Sequence, residues 1–475
     1  MTLWSEKCVL KWIRGLLVSA LLFGSGCARV DVPEQSPPAQ SAGGIILTIT
    51  DIRGTLKPCG CSPDLRRGGV DRIAYQLEQA RSKDPGLLVL HAGNLLVDDE
   101  GIPSARRAQI DRRVQAVGDS AKWMGLAATS LGEHDIAQGL DWLEKALKKV
   151  PTPVIATNVK GERWSKFSQP TILLRAQGVR VGVVGIVPPG PDVVQPNDPI
   201  RQAVIQLRAE GADIVIALSS IGLRQAKRLL RKNIGVDVLV AGGQKLNALV
   251  SNEAESFHDG WLVQSHIQGS HIGRIAVTPP SDSLKADVGV PEGYQLQSNR
   301  RFSYSLQAIG WDLPQHSSVV RVMKEYDAAL ADINLASVGK LPPLQPGQAS
   351  YIGVTACLEC HEEVQPFWDA DRHRIAWDTL VRDGKTFDLE CVSCHTTGYG
   401  EPGGSILGDL KNLTTVQCES CHGPGSLHAV DGDAELIQLE VAESLCVTCH
   451  NPKHSTGFDY DKYRSKLLVP GHGAE

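Results

Sequence analysis

A five-residue pattern, Cys-x-x-Cys-His, occurs four times in the last quarter of this 475-residue chain: Cys357–Cys360–His361, Cys391–Cys394–His395, Cys418–Cys421–His422 and Cys446–Cys449–His450. Two thiols at that spacing match the two vinyl groups of one haem, with which they form thioethers. The histidine that follows then reaches the iron as proximal ligand. A zinc ribbon or a redox dithiol uses paired cysteines without needing histidine next to them in every copy. The pattern therefore predicts four covalently bound haem c groups, ligated by His361, His395, His422 and His450. Met1, Met124 and Met323 are the only methionines, so Met/His ligation is excluded among the motifs. His373, His428, His454 and His472 are the histidines left over there, four candidates for four distal positions. Ligation by two histidines favours low potentials and electron transfer.

The elements around these motifs carry little hydrophobic periodicity. Four macrocycles in so short a segment must touch and supply most of its core, so residues 351–475 read as a mainly α or irregular multihaem domain. Residues 44–280 read differently. Short β-rich apolar runs (Ile45–Thr50, Leu87–His91, Val154–Asn158, Val181–Val187, Ile214–Leu218, Val236–Val240) alternate with helical stretches (Val70–Arg81, Ser104–Met124, Leu140–Val150, Gln202–Glu210). That alternation predicts an α/β domain with a largely parallel sheet, closed by strands at Trp261–Ser265 and Ile272–Thr278. Residues 281–350 form a connector with one helix near Ser318–Leu335 and a Pro/Gly-rich linker at Leu341–Gly347.

The 48 Lys and Arg against 53 Asp and Glu give a net charge of −5, which excludes a basic nucleic-acid binder. Residues 1–27 have the form of an export signal: Lys7, Lys11 and Arg14, the apolar stretch Leu16–Phe23, then Gly24, Ser25 and Gly26 before Cys27. This resembles a lipoprotein cleavage site, with Gly24 where leucine is usual. The resemblance implies lipidation of Cys27 and anchoring to a bacterial membrane; plain secretion or an uncleaved anchor is the alternative. Residues 28–43, rich in Pro, Gln and Ser, then form a flexible tether. The expected location is periplasmic or cell-surface.

The C-terminal segment resembles the tetrahaem cytochrome c-554 family through YIGVTACLECHEEVQPFW, RHRIAWDTL, CVSCHTTGYGEPGG, VQCESCHGPGSLH, CVTCH and FDYDKY. The resemblance implies that His428 caps the haem on His361, His373 the haem on His450, and His472 the haem on His422. The haem on His395 is open in that family. His454, in CHNPKH, is an additional histidine, so this haem is either open or capped by His454.

The N-terminal region resembles the metallophosphatase domain of the 5′-nucleotidase family through ILTITDIRGTL, GGVDRIAYQLEQAR, LLVLHAGNLL, SLGEHDIAQGLDWL, PVIATNV, VGVVGIVPPG, DIVIALSSIG and DVLVAGGQK. The resemblance implies two stacked sheets flanked by helices, and two divalent metals that activate water. Most ligands are replaced. Asp51 matches, but Arg53 stands in place of a histidine and Asn94 in place of the bridging aspartate. Glu133 replaces an asparagine, Ser220 a histidine, and Gln244 and Leu246 the last histidine pair. His134 matches the residue that assists the leaving group, and is expected here to be only a packed or solvent-facing side chain.

Asp51, Asn94 and Glu133 remain as an oxygen-only set suited to at most one hard cation, without two-metal geometry. The domain is therefore expected to be a pseudo-phosphatase scaffold or docking surface, without a divalent metal and without a nucleotide or phosphoester substrate. His266 and His271 are expected to be structural. Cys59 and Cys61 form either a short disulfide or a metal-binding or redox-active pair. The function expected is electron transfer to or from a redox partner protein. The alternatives are reduction of a small nitrogen compound at an open haem and residual metal-dependent phosphoester hydrolysis.

Overall fold

A computed structural model of the chain describes residues 43–57, 67–98, 101–245, 251–258, 260–277, 302–451, 454–455, 457–470 and 472–474. The signal with Cys27, the tether up to residue 42, the Cys59–Cys61 pair and Leu246 lie outside the described residues.

The strands follow the apolar runs in chain order: β1 (Gly44–Thr50), β2 (Leu88–Ala92), β3 (Ala128–Thr129), β4 (Thr171–Ala176), β5 (Val179–Ile186), β6 (Ile214–Ser219), β7 (Val238–Ala241), β8 (Glu255–Phe257), β9 (Gly260–Val263), β10 (His271–Val277) and β11 (Phe302–Ala308). They make two sheets, ordered β11-β10-β1-β2-β3 and β4-β5-β6-β7-β9-β8. The pairs β1/β2, β2/β3, β5/β6, β6/β7 and β7/β9 are parallel, and antiparallel strands finish every edge but the one at β3. Parallel strands buried on both faces read as unbroken apolar runs, and all of β6 and β7 is buried.

Successive side chains point to opposite faces of a strand, and this sorts the core into layers. Ile46 and Leu90 of the first sheet meet Val181, Val183, Ile216 and Val240 of the second between the sheets. On the outer face of the first sheet, Leu47, Ile49 and Val89 pack with helices Val70–Lys83, Arg107–Met124 and Ser317–Ser337. On the outer face of the second, Val184, Ile186 and Val215 pack with helices Asn197–Ala209 and Leu223–Leu230. The result is a metallophosphatase-like α/β fold of two stacked sheets flanked by helices.

Val154–Asn158 is extended but is not a strand of either sheet. Its hydrogen bonds divide: Ile155 N donates to the Thr129 carbonyl (2.8 Å), whereas Thr157 N donates to the Gly185 carbonyl (2.8 Å). The run thus crosses from β3 to β5. Gly185 permits that approach, because a Cβ there would lie 1.9 Å from the Ile155 carbonyl oxygen.

The C-terminal region is built from short helices, including Val354–Leu358, Ala376–Asp383, Leu389–Val392, Glu419–His422, Ser426–Asp431 and Glu443–Cys449. Its own apolar cluster centres on Leu380, Val392 and Leu407. Among the described residues no helix is long and apolar enough to cross a membrane.

A buried polar junction joins this region to the sheets. Glu390 pairs with Arg106 (2.9 Å) and Arg113 (2.6 Å) of the first helical layer. Gln109 donates to Asp388 (2.7 Å) and accepts from Leu389 N (3.1 Å) and Asn334 (2.7 Å). Lys385 pairs with Asp327 (2.8 Å) and Asp388 (3.0 Å). The carboxylates around Arg113 raise its pKa against the opposing effect of burial, and those around Lys385 do the same there. Removing one member of a buried pair leaves the other uncompensated, at about 3–5 kcal/mol. Arg113→Met is therefore expected to destabilise the chain by about that amount, read as a lower urea midpoint. An unchanged midpoint would show that the junction bears no load.

Candidate functional site

All four Cys-x-x-Cys-His motifs line one cavity of about 2740 Å³. A pocket for a drug-sized ligand measures about 300–1,000 Å³, so there is room for several large groups. Each motif makes the same helical turn: the histidine N–H donates to the first cysteine's carbonyl at 3.0 Å for His361, 3.2 Å for His395, and 2.9 Å for His422 and His450. One turn sets residues three apart on one face, so both thiols of a motif present themselves together. Thiols of different motifs also meet. Cys357 lies against Cys418, and Cys394 against Cys449, each contact raising the pKa of the first thiol and lowering that of the second.

Three pairs of imidazoles face each other across the cavity. The ring centres are 6.1 Å apart for His361 and His428, 6.1 Å for His373 and His450, and 6.0 Å for His422 and His472. A first-row metal lies about 2.0 Å from an imidazole nitrogen, so two rings ligating one ion from opposite sides stand roughly 6 Å apart. The planes are near parallel in the first pair, at 13°, and near perpendicular in the others, at 75° and 87°.

The other ring nitrogen is occupied in turn. Nδ1 donates to the carbonyls of Ala376 from His395 (2.6 Å), Gln438 from His422 (2.6 Å), Asp433 from His428 (2.9 Å) and Leu467 from His472 (2.7 Å). The Asp371 carboxylate accepts from His373 at 2.9 Å and raises its pKa. Such bonds fix the tautomer and leave Nε2 with its lone pair, the arrangement of a metal-ligating histidine. The donor set thus fits haem iron. Among the described residues no second imidazole faces His395 as the other three pairs do; His454 lines the same cavity.

Glu419, between the two cysteines of the third motif, also shapes the cavity. Its buried carboxylate accepts from Ile352 N (3.0 Å), Gly353 N (2.7 Å) and Gly425 N (2.8 Å), tying the approach to the first motif onto the third. The only trace of this in the sequence is its place inside a motif.

The residues expected at the metal-ligand positions of the N-terminal region have a different arrangement. Asp51 is fully buried after β1, and its oxygens are occupied. Oδ1 accepts from Asn94 N (3.0 Å) and Asn94 Nδ2 (3.1 Å), and Oδ2 from Gly243 N (2.8 Å) and Gln244 N (3.3 Å). Burial raises the Asp51 pKa, against Arg53 and these hydrogen bonds. The Arg53 guanidinium lies 3.9 Å from Asp51, pairs with Asp98 at 3.0 Å and donates to the Gln244 carbonyl.

Asn94 is turned to His134, whose N–H it accepts at 2.8 Å. Glu133 is exposed, and Ser220 shares a hydrogen bond with Ser130 (3.1 Å). Among the described residues no three His, Cys, Asp or Glu side chains form a metal-binding group. One saturated carboxylate beside a guanidinium does not fit a two-metal centre. His266 and His271 stack at 4.0 Å, and burial lowers the pKa of both, that of His271 to about 4. Asp135 escaped the sequence reading: it accepts from Leu95 N (2.8 Å) and Leu96 N (2.9 Å), fixing the loop that carries Asn94.

Comparison with known proteins divides the chain in the same way. The family model described as cytochrome c554 and c-prime matches residues 356–423. Cytochrome c-554 of Nitrosomonas europaea is 34% identical over 93 residues, 16% of this chain and 40% of that protein. A probable 5′-nucleotidase of Treponema pallidum is 24% identical over 189 residues, 37% of this chain and 31% of its own length. The 5′-nucleotidase of Bos taurus is 22% identical over 446 residues, 82% of this chain and 74% of that one. The solved 5′-nucleotidase precursor of Thermus thermophilus shares the fold, with a TM-score of 0.50 and 19% identity, over 61% of this chain and 59% of its own. A C-terminal segment similar to the cytochrome c554 family, which implies haem c, is thus joined to an N-terminal region that matches the 5′-nucleotidases in sequence and fold.

Proposed function

We propose that the chain is an exported, lipid-anchored electron carrier. In this reading Cys357, Cys360, Cys391, Cys394, Cys418, Cys421, Cys446 and Cys449 hold four haem c groups, and the phosphatase-like region is a scaffold, not a hydrolase. The observation that carries the reading is the set of three facing imidazole pairs in a cavity lined by all four motifs. Bound haem c supplies one-electron iron chemistry. The chain supplies two imidazoles for each of three irons, and the Nδ1 acceptors of His373, His422, His428 and His472 make those ligands more basic, which lowers the potentials. Thiols of different motifs lie in contact, so the groups they hold stand close enough for electrons to pass between them.

A second reading rests on one observation: no second imidazole faces His395 among the described residues. An iron there has room for a small nitrogen compound as sixth ligand. Phosphoester hydrolysis has no such support, since Asp51 is saturated and Arg53 holds the cation's place.

A pyridine haemochrome assay is expected to give four haems per chain, and fewer than three would overturn the relay. Parallel imidazole planes separate the iron d-orbitals that perpendicular planes leave close in energy. Electron paramagnetic resonance of the oxidised protein is therefore expected to show one rhombic low-spin centre and two strongly anisotropic ones. A high-spin signal from the fourth would place an open iron on His395; its absence would cap it.

Phosphate release from nucleoside monophosphates with Mn²⁺ or Zn²⁺ is expected to match the blank. Release that vanishes on Asp51→Ala would restore a hydrolase.

A further inference from the structure

Around the first motif the charge is one-sided. Residues 351–371 and 412–451 hold eleven Asp and Glu and no Lys or Arg. Of these, Glu359, Glu362, Glu363, Asp431, Asp433 and Glu435 are exposed, and among the described residues none pairs with a Lys or Arg. The fold gathers them. Glu359, Glu362 and Glu363 flank His361, while Asp431, Asp433 and Glu435 follow His428, whose ring faces His361 at 6.1 Å. His428 is itself tied to this loop through the Asp433 carbonyl at 2.9 Å.

A second feature of the same face is apolar. Val430 and Leu436 are 81% and 38% exposed, and neither lines the cavity. Val430 is the most exposed large apolar side chain of the described residues. An exposed apolar contact beside charge of one sign suits a short-lived encounter: charge orients the partner, and a small dry patch holds it briefly. Complexes of redox proteins are small and weak in this way.

We propose that this face, on the relay reading above, is the docking surface of a cationic electron-transfer protein. It would bind at Val430 and the six carboxylates that flank His361 and follow His428, and exchange electrons at the iron these two histidines would ligate. The exchange is one electron, lost by whichever of the two redox centres has the lower potential and gained by the other, with no bond made or broken. The opposite sign of charge on the partner follows from the absence of Lys and Arg in both segments. Steering of this kind falls steeply with ionic strength, since charges more than about 10 Å apart are screened at 0.1 M salt.

The test uses the full-length holoprotein and mitochondrial cytochrome c as a cationic probe. Affinity is measured by calorimetry with both partners oxidised, and electron exchange by stopped flow, in low and high salt. Binding is expected in low salt and is expected to weaken at least about tenfold in high salt. The triple variant Glu359→Gln, Glu362→Gln, Glu363→Gln is expected to lose about tenfold in low-salt affinity and rate, and Val430→Lys a similar amount. The triple variant Glu162→Gln, Glu210→Gln, Glu253→Gln changes the net charge equally, far along the chain from the motifs, and is expected to bind as the parent does.

Equal losses in both triple variants would reduce the effect to net charge and overturn the surface, as would binding that ignores salt. Dithionite separates the two levels. If it reduces the haems while the probe fails to bind, the docking surface falls and the relay stands. If it fails to reduce them, the relay itself falls and the surface with it.

Discussion

The structure depends on where three carboxylates can be buried. Asp388 and Glu390 sit immediately before Cys391, and Asp327 on the helix Ser317–Ser337; none is stable away from water without a cation. Arg106, Arg113 and Lys385 supply those cations, and Gln109 closes the remaining donors and acceptors. Each of these groups has a partner across the boundary between the two regions, and Asp327 pairs with Lys57 (2.7 Å) as well. The pairing therefore sets one register of the second motif against the helices, since a slip of one residue would strand a charge. It does so where apolar packing is scarce, because the C-terminal region's own cluster is centred on three side chains.

The same logic applies at the ends of the central strands, where three loops converge: Asp51 after β1, Asn94 after β2 and Gln244 after β7. Arg53 supplies the positive charge, and its flat fork of donors reaches Asp98 and the Gln244 carbonyl together. The acceptors of Asp51 are met by backbone and amide N–H groups. A cation held by a covalent side chain needs no supply from solution.

What could be read in the sequence followed the range of the interactions. The four motifs are local, and their spacing is that of a single helical turn. The parallel strands were legible because burial on both faces leaves unbroken apolar runs, as in β6 and β7. That same rule misled at Val154–Asn158, where an apolar run divides its hydrogen bonds between two sheets. Leu223–Leu230 is short and cationic outside its three buried residues, so no apolar run marks it. The imidazole pairings span 67, 77 and 50 residues (361 to 428, 373 to 450, 422 to 472); family likeness supplied them, not spacing. The Arg113–Glu390 pair, 277 residues apart, had no local signal at all.

The junction and the imidazole pairs complement one another. In the proposed holoprotein, each facing pair ties two distant segments through one iron: His361 to His428, His373 to His450, His422 to His472. These ties hold the first, fourth and third motifs to other parts of the region. The second motif has no facing imidazole among the described residues, so an iron on His395 need not cross-link anything. Yet it is the stretch just before this motif, residues 383–390, that the buried ion pairs and hydrogen bonds fasten to the phosphatase-like region. The phosphatase-like region is thus joined to the C-terminal one at the residues that lead into the second motif.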